Sequence, residues 1–149
     1  MNHYAFVLLA HILAATIWVG GHLVLALGVL PVALRTRDPA PVQAFEERYE
    51  RLGIPALLVQ VITGLWMAMR AVPPSRWLDL ATPGAGYVLA KLTLLAITIG
   101  LAIDARLRIV PTLRAETLNA LAWHIAAITT TAVLFVVAGV GLRTGGFFP

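Results

Sequence analysis

Cysteine is absent from this chain of 149 residues. Its absence removes disulfides, iron–sulfur clusters and thiolate metal sites. Charge is scarce too. Only 12% of residues are charged, against 60% hydrophobic. A soluble domain carries about a quarter charged residues, so this chain lacks the polar surface to cover itself in water. Internal repeats and low-complexity segments are not evident. The formal charge of +4 does not come with a basic face interleaved with aromatics. The arginines sit instead in short loops between apolar runs, where membrane topology places them, and nucleic acid is excluded as a partner. The start, Met1-Asn2-His3-Tyr4, lacks a positive n-region. The apolar run that follows is too long for a signal-peptide core and holds two histidines, so it reads as a retained helix.

What the chain has is long apolar runs. Four of them predict membrane-spanning helices at about 4–30, 54–72, 86–109 and 118–142, each long enough for about 30 Å of hydrocarbon. Pro31, Pro73-Pro74 and Pro111 punctuate three of the ends, as helix stop signals do. The expected fold is an all-α integral membrane protein, a four-helix up-and-down transmembrane bundle forming one domain over residues 1–149. An amphipathic segment at about 41–52 precedes the second helix, with Val42, Phe45, Tyr49 and Leu52 on its apolar side. It either lies at the headgroup boundary or extends that helix with a bend at Pro55. Trp77 and Leu78 read as a further interfacial anchor. Arg35, Arg37, Arg48, Arg51, Arg106, Arg108 and Arg114 fall on one side of the bundle, and Arg70, Arg76 and Arg143 on the other. The positive-inside rule then predicts an inner (cytoplasmic) membrane protein with both termini on the periplasmic side.

The chemistry sits in a few ionisable residues inside the runs. His11, Ala15, Trp18 and His22 recur at helical spacing. His11 and His22 share a face, within about 20° of each other and about 16 Å apart along the axis. An ionisable side chain inside a membrane helix is costly and usually faces the bundle interior and a partner. With the first and fourth helices antiparallel and their midpoints near Ile17 and Thr130, His22 and His124 fall at nearly the same depth. Two histidines so placed suit a bis-histidine haem iron or a two-histidine metal site. The other half of the bundle offers His11, Lys91 and Met67 around one outer cavity. Gln60, Thr63 and Met67 share one face of the second helix, and Lys91 and Thr98 share one of the third. Met67 and Met69 are two apart and point to opposite sides, so packing explains them better than a copper pair. Asp104 is expected to pair locally with Arg108, His3 to be exposed, and the Thr129–Thr131 run to satisfy its hydroxyls on its own helix.

These residues carry a resemblance. The stretch from Leu9 through His11 and Trp18 to Gly21 resembles the first helix of the CopD (copper resistance D) membrane domain. Gly86-Tyr87-Val88-Leu89-Ala90-Lys91-Leu92 is similar to that family's lysine-bearing helix, and the ending with Gly139, Gly141, Arg143 and Gly145-Gly146 is similar to its close. The His-to-Trp spacing and the Lys-Leu pair also resemble HemJ-type protoporphyrinogen oxidases, although the aromatic- and arginine-rich helix end of that pattern is missing after Trp18. The CopD resemblance implies copper handling across the inner membrane. The HemJ resemblance implies bound haem b and porphyrinogen oxidation, with His11 and Lys91 at the matching functional positions. That differs from the His22–His124 pair which depth selects.

The leading expectation is therefore a haem b protein with His22 and His124 as axial ligands, acting in electron transfer or as a membrane oxidoreductase. A quinone, superoxide or porphyrin-type substrate would sit near His11, Lys91 and Trp18. The alternative is a copper transport or copper-resistance protein, with His11, His22, His124 and Met67 as successive copper ligands on one interior path. A third reading is a subunit that only packs against a larger complex. The chain is short for a whole transporter, which suggests a homodimer.

Overall fold

The computed structural model describes residues 2–146, and the two ends of the expected span, residue 1 and residues 147–149, lie outside them. No strand occurs among the described residues. Four long apolar helices make the fold: α1 (His3–Thr36), α2 (Ala40–Ala71), α3 (Ala85–Thr112) and α4 (Ala115–Thr144). Each is long and apolar enough to cross a membrane. Large side chains exposed along all four, among them Leu27, Ile62, Leu107 and Trp123, face the lipid, since every helix offers only part of its surface to its neighbours.

The prolines act differently from simple stops. α1 does not end near Pro31. It widens into a π-helical turn at Leu25–Val29 and then continues, with Pro31 in the first turn of the segment Leu30–Thr36. A proline there needs no intrahelical N–H partner. α3 does the same, with a π turn at Ala105–Ile109 before Pro111. The true end of α1 is Arg37, which takes a left-handed φ of 54°. The Asp38 carboxylate then accepts the Ala40 N–H at 2.9 Å to start α2. α2 runs unbroken through Pro55 to Ala71. The amphipathic segment is thus part of a long helix, and its Val42 is fully buried against α1 and α4.

Neighbouring helices run in opposite directions. His11 meets Thr63 while Trp18 meets Tyr49. Tyr4 meets Arg143 while His22 meets Thr129. Lys91 lies on Gly139 while Asp104 lies near His124. The main contacts are α1 with α2, α3 with α4, and α1 with α4, whereas α2 and α3 touch sparsely. Three apolar layers fill the interior. At the end carrying the α1–α2 and α3–α4 loops, Leu25, Ala33, Val42, Leu118 and Ile125 pack together. In the middle, Trp18, Ile128 and Ala132 meet Leu57 and Leu101, drawing on all four helices. At the end carrying the termini, Val72, Ala85 and Val88 close the bundle.

A correspondence invisible in the residue pattern emerges here. Pro31 and Pro111 follow His11 and Lys91 by the same number of residues, and each is preceded by a π turn at the same spacing. Gly64 and Gly139, on which His11 and Lys91 rest, stand equally far into α2 and α4. The chain is two helical hairpins of one plan, a parallel repeat of the kind membrane proteins build around an axis normal to the bilayer.

Candidate functional site

Glycine notches set the polar side chains into the helix seams. A Cβ at Gly64 would lie 3.2 Å from His11 Cε1, and one at Gly139 would lie 3.3 Å from Lys91 Nζ. At Gly21 a Cβ would collide with the Tyr49 ring, and at Gly141 with the Tyr87 ring. Without a hydrophobic driving force between lipid-bathed helices, small residues at the seams are what allow close approach.

Three of the four histidines engage a neighbouring group through Nδ1. His11 Nδ1 lies 2.8 Å from the Thr63 hydroxyl. That hydroxyl donates its own proton to the Val59 carbonyl at 2.5 Å. The imidazole N–H therefore donates to the threonine oxygen, and the lone pair stays on Nε2. His22 Nδ1 lies 2.7 Å from the Trp18 carbonyl, which can only accept, so the same tautomer follows. His124 Nδ1 faces the Asp104 carboxylate at 3.8 Å, its side chain is 9% exposed, and its buried Nε2 has no hydrogen-bond partner. Asp104 also lies 3.5 Å from Arg108, the local pair expected. His3 is exposed.

An aromatic cluster encloses His22. The Trp18 ring lies 4.4 Å from it between centroids, and Tyr49 stands edge-on at 5.6 Å. The Tyr49 hydroxyl reaches the carbonyls of Ile17 and Trp18 at 3.2 and 3.0 Å. On the same carbonyl, then, converge the donor that orients His22 and the donor that ties α2 to α1. Lys91, the one lysine of the chain, has no carboxylate within ion-pair distance among the described residues. Met67 is half-buried, whereas Met69 is 48% exposed, so the two do not form a pair.

His22 and His124 meet different neighbours. The residue of α4 against His22 is Thr129, whose hydroxyl lies 3.4 Å from the His22 carbonyl. His124 is five residues further on, roughly 7 Å nearer the loop end at the helical rise. α1 continues past Pro31 to Thr36, so its midpoint lies nearer His22 than a helix ending at Leu30 would place it. The rings also take different neighbours, Tyr49 of α2 for His22 and Asp104 of α3 for His124. Nothing in the contacts of either ring supports a haem held between them. Among the described residues no three His, Asp or Glu side chains gather into a metal cage.

A family model for copper resistance protein D matches residues 43–142. The chain belongs to the copper resistance protein D family. The match covers all of α3 and nearly all of α2 and α4, including Thr63, Lys91, Asp104 and His124. Comparison with curated proteins and with solved structures finds no match. Family membership supports the copper alternative over the haem reading. Three contributors carry no signal of this role in the residue pattern. Tyr49 reads as an apolar marker, Asp104 as a partner of Arg108, and Gly64 as an ordinary helix residue. Their signal is spatial, because each acts on a residue of another helix.

Proposed function

We propose that this protein is a copper-resistance membrane protein that passes copper ions across the bilayer along intramembrane imidazoles, with His11, His22 and His124 as successive stations. Copper is the cargo here and no resident cofactor is invoked. The observation that carries the reading is the common state of the three rings. His11 and His22 have Nδ1 hydrogen-bonded to a hydroxyl and a carbonyl, His124 has a carboxylate 3.8 Å from Nδ1, and each keeps Nε2 for a ligand. Metal-binding histidines are oriented in this way, through a hydrogen bond from the other ring nitrogen, and neutral imidazole suits copper. His11 and His22 are about 16 Å apart along α1, far more than one ion can span. Separate weak sites favour passage over storage, since an ion held by few ligands leaves readily.

The arginine-rich loop end supports an orientation with that end in the cytoplasm and the termini in the periplasm of the inner membrane. His11 then meets the ion first, His22 and His124 later. Copper binding at equilibrium, measured by dialysis of the purified protein against copper, tests this reading. Wild-type protein is expected to take up copper above the buffer level, and His11→Ala, His22→Ala and His124→Ala each to lower the amount. Equal copper content in wild type and the triple variant would remove the proposal.

A further inference from the structure

A groove of about 610 Å³ runs along the lipid-facing side of the first hairpin near its loop end. Its walls come from two helices. Gly28, Val29 and Val32 line one side, Phe45, Tyr49 and Leu52 the other. Gly28 leaves the floor open, because a Cβ there would meet nothing within 4 Å. The only charged residue on the lining is Arg48. It forms no ion pair among the described residues. No acid lines the groove, and Glu47 and Glu50 of the same helix line a separate depression beside Arg51 and Pro55. An apolar groove whose one charged lining residue is an unopposed cation fits a ligand with a hydrocarbon tail and an anionic head.

We propose that this groove binds one anionic phospholipid, its acyl chain between α1 and α2 and its phosphate on Arg48. Arginine matches phosphate through its planar fork of donors, and basic groups at a membrane surface select anionic lipid. The site lies apart from the histidines but touches them through one residue. Tyr49 lines the groove and holds the Trp18 carbonyl with its hydroxyl, beside His22.

The test uses the full-length protein in detergent, delipidated and then incubated with phosphatidylglycerol or phosphatidylcholine of identical chains. Native mass spectrometry counts the lipids retained. One phosphatidylglycerol per chain is expected, at roughly tenfold lower concentration than phosphatidylcholine requires. Arg48→Gln is expected to bring the two lipids level, and Arg48→Lys to restore most of the preference. Arg51→Gln, on the neighbouring depression, should leave it unchanged. Gly28→Leu, which fills the floor, should abolish retention of both lipids. Equal retention of the two lipids by wild type, an unchanged preference in Arg48→Gln, or full retention in Gly28→Leu would each overturn the proposal. So would loss of the preference in Arg51→Gln.

Discussion

At the scale of single residues, the chemistry depends on which nitrogen of each imidazole is free. Thr63 fixes that for His11 from a neighbouring helix, and the Asp104 carboxylate faces His124 Nδ1 from another. Removing such a supporting group commonly lowers metal affinity about 10- to 100-fold. Thr63→Val keeps the volume of the side chain and deletes the acceptor. It is expected to weaken copper binding at His11 by about tenfold in a competition titration with a chelator, with the helical spectrum unchanged. Asp104→Asn should do the same at His124, and Asp104→Glu should recover part of the loss. Unaltered affinity in Thr63→Val would show that the His11 tautomer does not matter. The candidate residues themselves were legible in the sequence, because an ionisable group in a membrane run is conspicuous. Their partners were not. Thr63 and Asp104 look ordinary until a second helix is laid beside them.

At the scale of helices, the seams rather than apolar patterning decide the structure. All four helices are apolar on most sides, so periodicity gives little guidance to which face turns inward. Their existence and order were plain from hydropathy, and their ends were less so. Pro31 and Pro111 look like stops, but each sits in the first turn of a resumed helix after a π turn. The Tyr49 seat on Gly21 gives the sharpest test of the α1–α2 seam. Gly21→Ala places a methyl in the tyrosine ring, and overpacking of this kind costs about 1–3 kcal/mol. Tyr49→Phe leaves the packing and removes the hydroxyl donor, at about 0.5–1.5 kcal/mol. Denaturation in mixed micelles should therefore rank Gly21→Ala as the more destabilising of the two. The reverse order would mean that the hydrogen bond, not the fit of the ring, holds the seam.

At the scale of the whole molecule, two hairpins of one plan stand in the same orientation and carry different chemistry. The first places His11 where the second places Lys91. The repeat hides in the sequence because it is kept in helix geometry and glycine seats, not in residue identity. The side of the membrane each end occupies is open to a clean test, since the native chain has no cysteine to interfere. Single cysteines in Arg37→Cys and Arg114→Cys should be blocked only by reagents that reach the cytoplasm. A cysteine in Ala81→Cys, on the connection between the hairpins, should react with an impermeant maleimide from outside. The opposite labelling pattern would invert the path.

The central claim is that copper crosses this protein along its imidazoles, and flux tests it most directly. Protein reconstituted into liposomes that trap a copper-sensitive dye reports entry of the ion with time. Entry well above that of empty liposomes, reduced at least tenfold in His22→Ala with folding and reconstitution intact, is the predicted result. Entry equal to that of empty liposomes, or undiminished when His11, His22 and His124 are all replaced by alanine, would contradict the account.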